Sequence, residues 1–328
     1  MEEIMQIIDM HCDTISLIYQ QRQLGTQVSL RNNTFQLDLE KMKQSGYLLQ
    51  NFAMFLDLGK TKTPYKDCKK QIAIFQEEMQ RNSDIIAPVT TYEEIIANKQ
   101  QGKMSALMTL EEGETCEGSL EKLKEFYLLG IRMMTFTWNY SNCLGFPAEP
   151  AKKYLSPPQG LTTLGIEFLE QMEHLGMIPD VSHLSDSGIQ DVCDFAKKPF
   201  CASHSNARAL CPRGRNLPDE LIHSIAKKGG VIGVNYYGPF LSNTPNKSDY
   251  YFSYVKDIAT HIRHISNIGG ISCIGLGSDF DGIDDKLELK NCSSMGLLEQ
   301  ELKNIGFHES EIEKIFFQNV LNFYKELL

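Results

Sequence analysis

Short apolar runs and longer amphipathic stretches take turns along the whole chain. The runs cover 4–10, 48–55, 105–110, 132–136, 178–182, 200–203, 231–236 and 272–277, and each reads as a buried strand. Between them apolar positions recur at helical spacing over 66–81, 119–129, 164–176, 185–196, 219–228 and 252–268, with 309–328 closing the chain. Gly130, Gly176 and Gly229 stand where a helix ends, and Asp219 follows Pro218 where one begins. This alternation predicts βα units around a parallel sheet. Eight predicted strands in 328 residues match a (β/α)8 barrel of the TIM type, expected as one domain over 1–328. A doubly wound open sheet shares the pattern. The stretches 58–64 and 139–158 are long and rich in Pro, Gly and polar residues, so they read as excursions beside a site.

In a barrel enzyme the chemistry sits where the strands end, because the following loops converge on one mouth. The first predicted strand ends in His11-Cys12-Asp13, the third in Glu111-Glu112, the fifth in His183, the sixth in His204 and the eighth in Asp279-Phe280-Asp281-Gly282. His11 and Asp13 are two apart on extended chain, so both leave the same face and can grip one ion. His183 and His204 hold equivalent positions on neighbouring strands. Glu111 either enters the mouth as a carboxylate between cations or, with Glu112, Glu114 and Glu117, marks a helix N-terminus. Asp281 precedes Gly282 and reads as a turn residue, which leaves Asp279 as the functional acid. Arg215, in Arg213-Gly-Arg215-Asn-Leu-Pro218, is either a clamp for a carboxylate or a surface ion pair. Tyr236 and Tyr237 either line the pocket or pack. His261 and the other helical histidines default to solvated or supporting places.

Composition narrows the class. With 42% hydrophobic and 23% charged residues the chain is globular, and a net charge of −10 without a basic stripe argues against a nucleic-acid partner. No basic leader precedes an apolar run, and no run approaches the roughly 18 residues of a membrane helix, so a cytoplasmic protein away from membranes is expected. Nine scattered cysteines without a CxxC pair read as reduced thiols. Phosphate-loop, dinucleotide and serine-elbow motifs are absent.

In order along the chain, Asp9-Met-His11-Cys-Asp13, Glu111-Glu112-Gly113, Asp180-Val-Ser-His183, Ser203-His204-Ser205, Arg215-Asn-Leu-Pro-Asp219 and Gly277-Ser-Asp279-Phe-Asp-Gly282 resemble motifs of the membrane (renal) dipeptidase family, zinc peptidases of the amidohydrolase superfamily. The resemblance spans residues 8 to 282. It implies a zinc-dependent dipeptidase, in which His11 and Asp13 hold one Zn2+, His183 and His204 a second, and Glu111 bridges both. It also implies that Asp279 handles the proton, that Arg215 holds the carboxylate of a small dipeptide substrate, and that a homodimer forms. Two Zn2+ per chain would share and activate one water.

The chain departs from the family at two places. The family's Glu-Gly-Gly reads Glu111-Glu112-Gly113 here, which makes Glu112 a rival of Glu111 as the bridge, with the strand register favouring Glu111, and a family histidine after the fourth strand is Trp138 in Thr135-Phe-Thr-Trp138-Asn139. Trp138 lacks a metal-binding lone pair. It is expected, with Tyr237, to shape the substrate site, and D-residues at the C-terminal position are an expected substrate feature. Other small amides or lactones form the alternative substrate class, since barrel loops change specificity without changing the metal core.

Overall fold

The computed structural model describes residues 5–150, 159–245, 247 and 249–328. Residue 4 of the predicted first strand and 151–158 of the second excursion lie outside these. Nine parallel strands form the sheet: β1 (Ile7–Asp9), β2 (Tyr47–Phe55), β3 (Ile86–Val89), β4 (Met104–Glu111), β5 (Ile131–Thr135), β6 (Ile178–Asp180), β7 (Cys201–Ala202), β8 (Val231–Val234) and β9 (Ile274–Leu276). β2 pairs with β4 from Leu49↔Ser105 to Phe55↔Glu111, and β9 pairs with β1, so eight strands close a (β/α)8 barrel.

β3 is the strand the hydrophobic pattern does not announce. It borders only the first half of β4, from Ile86↔Met104 to Val89↔Leu107, and from Met108 onward β5 takes the same edge. Four residues containing Pro88 make a weak signal, and a proline lacks the donor a central strand needs. At the rim of the barrel that loss is tolerated.

The helix Thr14–Gln23, directly after the first polar strand end, was also unannounced. Its low amphipathicity follows from where it lies: Thr14, Ser16 and Ile18 are all buried, so polar and apolar residues share one face.

The last helical stretch breaks into Glu309–Glu313, a wider turn over Lys314–Gln318, and Asn319–Leu327. Phe317, Val320, Phe323 and Tyr324 pack against Ile8, Leu49, Leu107, Ile178 and Val231 from the starts of the strands. The barrel is therefore plugged at its N-terminal end, and the polar strand ends lie at the other. The plug is pinned by hydrogen bonds between the Tyr324 hydroxyl and the Asn51 amide, 2.8 and 3.0 Å long and fully buried. Tyr324→Phe leaves that amide short of a partner, so urea unfolding is expected to show a loss of about 1–3 kcal/mol at constant slope. A loss below about 0.5 kcal/mol would show that the pin contributes nothing net.

All nine cysteines are free thiols. No helix among the described residues is long and apolar enough to cross a membrane.

Candidate metal centre and its cavity

β1 and β9 stay paired beyond their last ladder residues. Met10 N–H donates to Leu276 O at 2.8 Å, Asp279 N–H to His11 O at 3.2 Å and Asp13 N–H to Phe280 O at 2.9 Å. This pairing sets His11, Asp13 and Asp279 side by side. Gly282 seals the corner, because a Cβ there would lie 2.1 Å from Asp13 Oδ2 and 2.6 Å from Asp279 Oδ1. Glu111 ends β4, His183 leaves β6 with φ 68°, and His204 follows β7. Asp279 is likewise left-handed at φ 63°. Such backbone is uncommon outside glycine and gathers at functional sites.

The five expected metal ligands converge. His11 Nε2 lies 3.4 Å from Glu111 Oε2, 3.6 Å from Asp13 Oδ2 and 3.8 Å from Asp279 Oδ1. The other oxygen of Glu111 is 3.1 Å from His183 Nε2 and 3.6 Å from His204 Nε2, and those two nitrogens are 3.0 Å apart. Two donors on one tetrahedral zinc, each about 2.1 Å from it, are about 3.4 Å apart. The spacing fits metal ligation.

The hydrogen bonds behind the imidazoles make the same case. Asp180 Oδ2 accepts the hydroxyls of Ser203 at 2.5 Å and Thr135 at 2.9 Å, while its Oδ1 accepts Ser182 N–H and Ser203 N–H. Since the Ser203 hydroxyl donates to Asp180, it accepts from His204 Nδ1–H at 2.8 Å. His183 Nδ1–H donates to Asn139 Oδ1 at 3.1 Å. Both rings then turn an unprotonated Nε2 toward the other and toward a carboxylate. Lone pairs facing lone pairs repel unless a cation lies between them.

The electrostatics agree. Burial and the nearby Arg215 guanidinium pull His183 down to about 4, and burial with His11 and Arg215 holds His204 well below its ordinary value, so both rings stay neutral. Burial also opposes charge on His11, yet Glu111 and Asp13 outweigh it and raise its pKa. A proton on His11 answers the same demand for positive charge that a metal ion would. Burial, opposed by His11 and reinforced by Asp13 and Glu111, pushes Asp279 up to about 8. One Asp279 oxygen accepts from the Asn235 amide at 2.8 Å.

At this cluster lies a cavity of about 230 Å3, lined by the acidic Asp13, Glu111, Asp279 and Asp281, by His183, and by the apolar Leu17, Phe55 and Trp138. Trp138 lines this cavity, its ring edge-on to Phe55 at 4.9 Å. Tyr237 does not line the cavity; it packs edge-on against Phe240. Arg215 is buried behind His204, donating to His204 O and Ser205 Oγ at 2.8 Å each, with its Nε unpartnered among the described residues. Asp281 accepts from Thr14 Oγ and Gln36 N–H, as a turn residue should. His261 proves to be buried, its Nδ1 accepting Ala207 N–H at 3.1 Å.

Three supporting residues escaped the sequence reading. Asp180 stood inside a motif without a role, Asn235 gave no signal beside Tyr236, and Glu112 read as a rival of Glu111. Glu112 in fact turns away from the cluster to accept Trp138 N–H at 3.0 Å.

The sequence profile described as membrane dipeptidase, peptidase family M19, matches residues 1–327. An uncharacterized dipeptidase of Schizosaccharomyces pombe is 28% identical over 98% of this chain and 80% of its own. The dipeptidase tcpJ of Claviceps purpurea is 28% identical over 80% of this chain and 60% of its own. Among solved structures, a metallopeptidase of Rhodobacter sphaeroides bound to a phosphinate mimic of L-Ala-D-Ala superposes with a TM-score of 0.87 at 20% identity, covering 99% of this chain and 100% of that one. The dipeptidase AC, an M19 metallopeptidase, gives 0.89 at 22% identity, with 99% of each chain covered.

Proposed function

Because the chain belongs to the membrane dipeptidase family, peptidase family M19, and is thus a peptide-bond hydrolase of a metallopeptidase family, we propose that it cleaves free dipeptides with two zinc ions held by His11, Asp13, Glu111, His183 and His204. The observation that carries this reading is the meeting of three Nε2 atoms on the two oxygens of one carboxylate, Glu111. Bound zinc supplies a Lewis acid and lowers the pKa of water toward about 7.

The chain's own residues do the rest. Asp180, through Ser203, fixes the tautomer and tilt of His204, and Asn139 does the same for His183. Asp279 stands at the edge of the cluster with one oxygen anchored on Asn235 and the other facing His11 Nε2. From there it takes a proton from the attacking water and passes it to the departing amine as the C–N bond breaks. Arg215 brings a buried positive charge behind His204 and beside His183, and that charge, with an Nε unpartnered among the described residues, would draw the substrate carboxylate toward this side of the cluster. A cavity of about 230 Å3 falls below the roughly 300–1,000 Å3 of drug-sized sites, which favours short substrates. Acceptance of a D-residue at the C-terminal position is supported by the dipeptide mimic bound to the Rhodobacter sphaeroides relative.

The test is a panel assay with zinc-loaded protein. L,L- and L,D-dipeptides are expected to turn over at least about 100-fold faster in kcat/KM than tripeptides, N-acyl amino acids or lactones. Faster turnover of lactones or acyl amino acids than of every dipeptide would replace this reading.

A further inference from the structure

Glu112 sits where an L-residue is uncomfortable. Its φ is 101° and ψ 98°, a region that glycine enters without steric cost and other residues rarely adopt. The backbone alone therefore gives no reason for a glutamate here. Its carboxylate does. Wholly buried, it accepts Glu114 N–H at 2.9 Å and the Asn142 amide at 2.5 Å on one oxygen, and Trp138 N–H at 3.0 Å on the other. Asn142 passes the constraint on. Its amide also donates to Phe136 O at 2.8 Å, and its carbonyl accepts Leu144 N–H and Gly145 N–H. The loop that carries Trp138 is thus tied to the Glu112 carboxylate both directly, through Trp138 N–H, and by way of Asn142.

That hold has a direction. Trp138 is set edge-on to Phe55 at 4.9 Å and its ring lies 6.2 Å from the His183 ring. With Leu17 these rings are the apolar part of a cavity lining that otherwise carries the carboxylates of Asp13, Glu111, Asp279 and Asp281. Among the described residues no lysine or arginine lines it. A short substrate lying over the cluster has one side chain against this wall, where a polar group would lose water without gaining a partner.

We infer that Glu112 is a positioning residue for substrate choice: by fixing Trp138 against Phe55 it makes the cavity select dipeptides with a bulky apolar side chain at that wall. The inference rests on the dipeptidase reading above, and the experiment separates the two.

Trp138 is the chain's single tryptophan, so its emission reports this wall alone. Zinc-loaded native protein is compared with Glu112→Gly, which suits the backbone and removes the carboxylate, and with Glu112→Gln, which keeps an amide oxygen for Trp138 N–H. In Glu112→Gly the emission is expected to shift red, and acrylamide quenching to rise about twofold as the ring loosens. The ratio of kcat/KM for Leu- or Phe-containing dipeptides to that for Gly-Gly should fall about tenfold, through KM, at unaltered metal content. Glu112→Gln should recover part of both, since its oxygen still accepts Trp138 N–H while its NH2 meets the Glu114 and Asn142 donors. Should Glu112→Gly fail to fold, Trp138→Leu is expected to collapse the same ratio.

Titrating leucyl and glycyl phosphinate dipeptide mimics against Trp138 emission reads the preference as a Kd ratio without turnover. A native protein that prefers the leucyl mimic yet cleaves no dipeptide would sink the dipeptidase reading and leave this one standing. Native quenching and native ratios in Glu112→Gly would overturn the inference. So would an equal loss on every substrate accompanied by lost zinc, which would make Glu112 a mere support for Glu111.

Discussion

Zinc is expected to raise the Tm of the native protein, and Glu111→Gln to abolish that rise and to lower kcat/KM by on the order of 1000-fold or more. The reason is its position. Oε2 faces His11 and Oε1 faces both His183 and His204, so its two oxygens serve the two halves of the cluster. Glutamine keeps the volume but turns one acceptor oxygen into a donor NH2, which offers hydrogens where lone pairs are required. Whichever way the amide turns, one half loses its shared ligand. Zinc counting on the dialysed variant and a Tm series with added zinc read this without any assay of turnover. Native stoichiometry in the variant would remove Glu111 from the centre.

Asp279→Asn is expected to leave zinc content intact while kcat falls about 100- to 10,000-fold, the range associated with a positioned proton-transfer group. The substitution is clean for two local reasons. At φ 63° the backbone is left-handed, a conformation that asparagine tolerates as well as aspartate does. Asn235 donates to Asp279 Oδ2 at 2.8 Å, so an asparagine would give that donor its carbonyl and turn its NH2 toward His11. The site then faces a group that cannot accept a proton. KM should move little. A loss smaller than about tenfold in kcat would show that the proton travels elsewhere.

Much of this site was legible because its chemistry sits where apolar runs stop. A buried strand followed at once by histidine or acid needs an explanation, and His11, Glu111, His183, His204 and Asp279 each ended such a run. The barrel could be read from the same alternation. What could not be read depends on directions that sequence does not encode. Glu111 and Glu112 are neighbours of identical chemistry, and only the pleat of β4 and the φ of 101° decide that one enters the cluster while the other turns back under Trp138. Arg215 read as either a carboxylate clamp or a surface ion pair, and burial with two donated hydrogen bonds behind His204 leaves no room for the surface pair. Tyr237 fell one position past Tyr236 at a strand end, but its ring goes to Phe240 and not to the cavity. β3 was hidden by its proline, and the helix Thr14–Gln23, which brings Ser16, Leu17 and Gln20 to the cavity, by its weak periodicity.

The supporting layer was the least visible and has the clearest physical logic. Asp180 accepts four hydrogen bonds that tie β5, β6 and β7 to one carboxylate, and through Ser203 it decides which nitrogen of His204 is free. Nothing in the spacing of Asp180 and Ser203 along the chain foretells that contact. It arises only when two strands lie side by side.

Anomalous diffraction at the zinc edge, from crystals grown with excess zinc, bears on the central claim more directly than any assay. Two peaks are expected, one against His11 and Asp13 and one against His183 and His204, with Glu111 between them. A single peak elsewhere, or none with these five side chains ordered, would contradict the account.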